Sequence, residues 1–288
     1  MRNLIFSLLA AAVFAAQAEM PQRVVSTAGN ASEVVALLGK ADVLVGVDTT
    51  SMRPLDVMED KPKIGYRRQL SAEGILSLQP DLILMAPDAG PPAVAEQIKA
   101  SGVRLLALKD EQSLEGIRTD IALIAEALDA QAAGEELIAE ILADETALAA
   151  IAAQYAGNSA LVLIDTGTQG VFGQGRNSAG AHLLEILRLE NRFDAEGNKP
   201  LANEALVALD ADVIFLASRE GARKSITIEP LAVEHPQYAL LSNTAAGRKG
   251  CVFAVNILDA LGFSAYTARY AAAMLKTAAP CLRTDITH

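Results

Sequence analysis

Short, nearly continuous apolar runs recur along the chain, at 43–47, 82–85, 103–108, 161–164, 213–216 and 252–255. Unbroken apolarity over so few residues fits strands covered on both faces, as in parallel sheets. Between the runs, apolar positions take helical spacing, for example at 32–38, 93–100 and 178–187. Strand alternating with helix predicts an α/β architecture. Residues 114–155 break the rhythm: they are rich in Ala, Leu, Ile and Glu, contain no Pro, and show no strand signal. Leu137, Ile141, Leu148 and Ile151 keep helical spacing there. This stretch predicts two or more helices, the last one long, acting as a stiff connector between two α/β halves.

An internal echo supports that division. Residues 73–84 read EGILSLQPDLIL and residues 204–215 read EALVALDADVIF. Each describes a helical turn opening near a Glu, a short turn, then a buried strand. Any two α/β units are somewhat alike, but these sit at matching places on either side of the helical middle, as a duplicated design requires. The predicted fold is two Rossmann-like α/β lobes joined by a long helix, with a ligand cleft between them. The boundaries are 1–18 for a leader, 19–128 for the first lobe, 129–156 for the connecting helix and 157–288 for the second lobe.

The leader reads MRNLIFSLLAAAVFAAQA. Arg2 gives a positive start, the apolar stretch is short for a membrane span, and Ala16-Gln17-Ala18 is a small-x-small cleavage pattern. The expectation is a cleaved secretory signal and a periplasmic location; an uncleaved N-terminal anchor is the other reading. No Cys follows the apolar run, so a lipid anchor has no support. An oxidising compartment permits disulfides, and Cys251 and Cys281, 30 positions apart, either pair or stand as separate thiols.

Composition narrows the chemistry. The 288 residues carry a formal charge of −11, which disfavours nucleic acid as a partner. Only three His and two Cys are present, so a Cys/His zinc cluster is nearly excluded by supply. There is no Trp, and any flat ligand must be held by aliphatic walls and a few special side chains. The Gly-rich stretch 170–180 lacks the Lys-Ser/Thr ending of a phosphate loop and reads as a flexible cleft loop. No Gly-x-Ser-x-Gly elbow occurs, which leaves an exported α/β enzyme as the weakest alternative.

One motif stands out: Gly65-Tyr66-Arg67-Arg68, just ahead of a helix start at Ser71. In open α/β lobes such loops face the cleft. A phenol beside two guanidiniums suits a ferric centre, because Fe³⁺ and nearby positive charge both favour the phenolate. Tyrosinate is an axial ligand of haem iron, and arginines bind carboxylates in bidentate fashion. The same residues also fit a surface tyrosine packing by its ring beside two solvated arginines.

The segment GYRRQLSAEGILSLQPDLIL resembles the haem-binding stretch of periplasmic haem-transport binding proteins. These are substrate-binding components of bacterial ABC importers, in a two-lobe class that also takes cobalamin and siderophores. Val45-Gly46-Val47-Asp48, the loop from Gly173 to Ala179, and His235-Pro236 with Leu261-Gly262-Phe263 resemble other parts of that family. The resemblance implies Tyr66 as the iron ligand, and Arg67, Arg68 and Arg176 as contacts of the haem propionates. It implies Glu73 and Glu204 as lobe-surface carboxylates that dock on an inner-membrane ABC permease with its ATPase. Each Glu is equally accounted for as an exposed residue at a helix start. Some relatives use a second-lobe histidine on the iron, for which His182 is the candidate here; an ordinary helix histidine is the other reading. Met52, Met58, Met85 and Phe172 are candidates for lining the porphyrin, or for core packing. The implied function is capture of ferric haem and its delivery to the permease, without catalysis, with an outer-membrane haem receptor upstream. The alternative on the same scaffold is a ferric siderophore or cobalamin.

Overall fold

The computed structural model describes residues 20–109, 112–167, 170–219 and 228–284. The leader at 1–18 lies outside the described residues. In the first half the order is β1 (Val24–Ser26), α1 (Gly29–Leu37), β2 (Leu44–Val47), α2 (Leu55–Met58), α3 (Ala72–Leu76), β3 (Leu82–Met85), α4 (Pro92–Ala100) and β4 (Arg104–Ala107). Two helices follow, α5 (Leu114–Ala127) and α6 (Gln131–Ala152). The second half runs β5 (Ser159–Asp165), β6 (Val171–Gln174), α7 (Ala179–Leu187), β7 (Glu190–Asn191), β8 (Asn198–Pro200), α8 (Asn203–Ala208) and β9 (Val213–Ser218). It ends with β10 (Ile228–Pro230), α9 (Tyr238–Leu241), α10 (Ala245–Arg248), β11 (Val252–Asn256), α11 (Ile257–Leu261) and α12 (Thr267–Ala278).

The first sheet is parallel throughout, in the order β2-β1-β3-β4. The second has the order β10-β11-β9-β5-β6-β8, with β7 pairing β5. Its centre, β11-β9-β5, is parallel, and β10, β6 and β8 join in antiparallel fashion. Each apolar run of the sequence became a strand, because helices cover both faces. Along β9, Val213, Phe215 and Ala217 enter one core while Ile214 and Leu216 enter the other. The exception in burial is β4, at one edge of the sheet, whose residues are exposed or half-buried. The two echoed segments fold alike: α3 leads into β3 and α8 into β9, and each strand sits inside its sheet.

Serine side chains start several helices. Ser71 accepts the Gly74 N–H, Ser113 that of Gly116, and Ser178 that of Ala181. The 22-residue α6 spans about 33 Å. Adjacent acids fasten it on two sides: Glu145 pairs with Arg118 of α5, and Asp144 with Arg269 of α12 at 2.9 Å. No helix among the described residues is long and apolar enough to cross a membrane. Cys251, just before β11, is bonded to Cys281 near the end of the described chain, with Cα atoms 5.7 Å apart.

The two halves also share packing. After α11 the chain crosses to the first lobe, where Phe263 and Ala265 join the core built by the first sheet, α1 and α5. Phe263 takes φ +47° to do so.

Candidate functional site

A cleft of about 880 Å³ lies between the sheets. The first lobe lines it with the start of α1 (Gly29, Asn30, Glu33), the loop after β2 (Thr49, Thr50, Met52, Arg53), and Tyr66 and Arg68. The second lobe contributes Ile164, Gln174, the start of α7 from Asn177 to Ala179, Gly197, Asn198, Arg219 and the α11 region. Ile164, Ile257, Leu258 and Leu261 supply the aliphatic wall that a Trp-free chain needs.

The loop that carries Tyr66 is held by its backbone. Thr49 donates to Gly65 O at 3.0 Å, Gln69 to Tyr66 O at 2.7 Å and Gly90 to Arg67 O at 2.9 Å. Gly65 sits at φ +103°, a conformation that side chains resist. The phenol of Tyr66 is 38% exposed on the cleft wall and has no hydrogen-bond partner among the described residues. Its two arginines part company. Arg67 turns behind the loop to pair with Asp88 and does not line the cleft, whereas Arg68 lines it while its Nε lies 2.8 Å from Asp88. Partial burial pushes the Asp88 carboxyl up, but hydrogen bonds and charge from Arg67 and Arg68 win and hold it below its usual range.

Beneath the neighbouring loop lies Asp48, fully buried. It accepts from Thr50 Oγ1 and Ser51 Oγ, at 2.7 and 2.8 Å, and Thr50 Oγ1 accepts the Gly29 N–H at 3.2 Å. Burial raises the Asp48 pKa against the opposing effect of those hydrogen bonds and of Arg67. This chain fixes Thr49 and Thr50 on the cleft surface.

The cleft floor is where the lobes meet, and it is ionic. Arg53 of the first lobe grips Asp259 of α11, donating from Nη2 at 2.7 Å and pairing through Nη1. Glu33 of α1 faces the same guanidinium and accepts from the Ser264 hydroxyl and the Ala265 backbone of the second half. Burial pushes the Glu33 pKa up to about 7, only partly countered by those hydrogen bonds and by Arg53. One Glu33 carboxylate oxygen has no partner among the described residues.

Several sequence expectations meet a different placement. Arg176 does not line the cleft; it pairs with Asp194 and, at 3.5 Å, with Glu196, which face it from the segment ahead of β8. His182 lies in the second turn of α7, with Nδ1 3.4 Å from Glu185, and is not a lining residue. Met58 and Met85 are core residues, and of the four proposed wall residues only Met52 lines the cleft. The Gly-rich stretch is not simply a loop, since Val171–Gln174 forms β6 and Ala179 opens α7. Glu73 and Glu204 are both exposed, in the first turns of α3 and α8. Sequence reasoning missed Arg219, Arg53, Glu33, Asp259 and Gln174. Arg219 follows the carboxyl end of β9, where open α/β sheets place ligand contacts, so that signal was readable. The others gain their roles only from contacts between the halves or from the packing of α7.

The sequence model of the periplasmic binding protein family matches residues 24–256. The structure is similar to the periplasmic haem-binding protein RhuT from Roseiflexus sp. RS-1 in its apo form. That match has a TM-score of 0.80 and 30% identity, and covers 90% of this chain and 98% of the other. An uncharacterised ABC transporter substrate-binding lipoprotein of Bacillus subtilis is 26% identical over 201 residues, 67% of this chain and 63% of its own length. A vitamin B12-binding protein of Vibrio campbellii is 29% identical over 127 residues, 44% of this chain and 46% of its own. The matches thus span between about half and just under two thirds of these curated relatives.

Proposed function

The chain belongs to the periplasmic binding protein family, and we propose that its cargo is ferric haem, held through Tyr66 as phenolate and handed to an ABC permease. The observation that carries this reading is the phenol of Tyr66. It stands unpartnered on the wall of a cleft at the large end of the roughly 300–1,000 Å³ usual for ligand sites, with Arg68 beside it. Ferric iron would displace the phenol proton, and the nearby guanidiniums would stabilise the resulting anion. Aliphatic residues of β5 and α11 would cover the porphyrin. Arg68 from one lobe and Arg219 from the other would answer the propionates, and Arg219 pairs with no carboxylate among the described residues. Arg67 would act through Asp88, by fixing the loop.

The mechanism is capture and release, with no bond made or broken in the cargo beyond iron coordination. Phenolate prefers ferric iron, so reduction weakens the grip. Glu73 and Glu204, one on each lobe, would orient the protein on a basic permease surface. An outer-membrane receptor would supply the haem to a protein exported by the leader at 1–18. The vitamin B12-binding relative favours cobalamin as the second reading, which needs no tyrosinate.

Optical titration of residues 19–288 with ferric haem, beside Tyr66→Phe and Tyr66→Ala, tests the proposal. Saturable binding with a phenolate-to-iron charge-transfer band, lost in both variants, is expected. A band that survives both variants removes Tyr66 as ligand. A wild-type protein that takes cobalamin and not haem transfers the cargo to the second reading.

A further inference from the structure

The second-lobe wall of the cleft contains a polar group that the protein itself leaves unsatisfied. Gln174 ends β6, is 1% exposed, and lines the cleft. Its Oε1 accepts the Gly180 N–H of α7 at 3.4 Å, which sets the orientation of the amide. The NH₂ end is therefore the one left over, and Nε2 has no hydrogen-bond partner among the described residues. A buried donor without an acceptor costs stability, so a native structure that keeps one calls for a partner to be identified. Gly180 makes the arrangement possible, since a Cβ there would come within 2.4 Å of Gln174 Cβ.

Independent of that amide, α7 presents its N-terminus to the same cleft. Ser178 and Ala179 both line it. The Ala181 N–H is taken by the Ser178 cap and the Gly180 N–H by Gln174, but no described group accepts from Ala179 N. No acidic side chain occupies the first turn of this nine-residue helix. The opposite lobe differs: at the start of α1 the Gly29 and Ala31 N–H groups are already held by Thr50 and Asn30. Asp194 and Glu196, from the segment ahead of β8, are engaged as well, both with Arg176, and Glu196 also with Asn177 Nδ2 at 2.8 Å.

We propose that Gln174 Nε2 and the N-terminal turn of α7 form an oxyanion subsite that takes a carboxylate of the cargo. An N-terminal turn with spare N–H groups favours an anion, and the amide adds a directed donor. Resting on the haem reading, the carboxylate is a propionate; the subsite itself requires only the carboxylate. Arg176 then has a different task from the one its sequence position suggested, keeping Asp194 and Glu196 from repelling the anion.

The test compares haem with its dimethyl ester, which lacks the propionate charges, on wild type, Gln174→Glu and Gln174→Leu. Gln174→Glu keeps the Oε1 acceptor and puts a carboxylate oxygen in place of the Nε2 donor, facing the ligand's own carboxylate. We expect haem affinity to fall about tenfold to hundredfold in both variants, with ester affinity and the iron charge-transfer band unchanged. Equal loss for haem and ester, or no loss for haem, overturns the subsite. A ¹⁵N NMR titration of the apoprotein with succinate decides the matter without haem. Saturable shifts at the Ala179 amide and the Gln174 side chain support the subsite, and their absence overturns it. A wild type that takes succinate there but does not bind haem keeps the subsite and discards the haem reading.

Discussion

Arg53→Met is the perturbation that bears most directly on how the two lobes are held. The Arg53 side chain is 21% exposed and its partner Asp259 is 1% exposed, 206 positions along the chain. Breaking a buried pair by removing one partner costs about 3–5 kcal/mol, because the other charge is left uncompensated. Arg53 lines the cleft, so water would reach part of the space it vacates, and we take about 3 kcal/mol as the expected loss. For a chain of 288 residues that lowers the melting temperature by about 5 °C. Asp259→Leu added to Arg53→Met should restore most of the loss, since an apolar pair of similar volume is often as stable as the ion pair. Urea unfolding at pH 7.5 on the wild type, the two single variants and the double variant gives the coupling energy. A loss below about 1 kcal/mol for Arg53→Met, or a double variant no better than the single, would refute the claim that this pair clasps the lobes.

Two further outcomes follow from the same structure. Glu33 holds its proton more tightly folded, at about 7 against an ordinary 4.5, so its stabilising contribution is complete below about 4.5 and lost as pH rises through 7. Wild-type stability should therefore decline by on the order of 3 kcal/mol from this group between pH 4.5 and 8, and Glu33→Gln should flatten that slope; an unchanged slope in the variant contradicts the assignment. Reducing Cys251–Cys281 frees a loop of 30 positions, worth about 3–4 kcal/mol in chain entropy, so unfolding midpoints with and without reductant should separate accordingly.

The strands were legible because helices bury both faces, which forces continuous apolar runs such as 213–216. The β6–β8 pair was not, since it is short, antiparallel, rich in Gly, Asn and Lys, and exposed along β8. Tyr66 was readable from its neighbours in sequence, and so was the position of Arg68. The fate of Arg176 was not, because Asp194 and Glu196 meet it only through the fold of the segment ahead of β8. For the same reason no local pattern marks Glu33, Arg53 and Asp259 as one cluster; it exists only once α11 is brought under the first lobe.

That crossing has a consequence for dissecting the molecule. Phe263 and Ala265 fill the first lobe's core from the far end of the chain, against Val34, Ile117 and Ile124. A fragment cut at the end of α6 would leave that apolar floor wet, and its complement would carry an aromatic side chain with nowhere to go. The halves are thus interlocked as a single cooperative unit, and a split-protein format would regain the fold only when both pieces are present together.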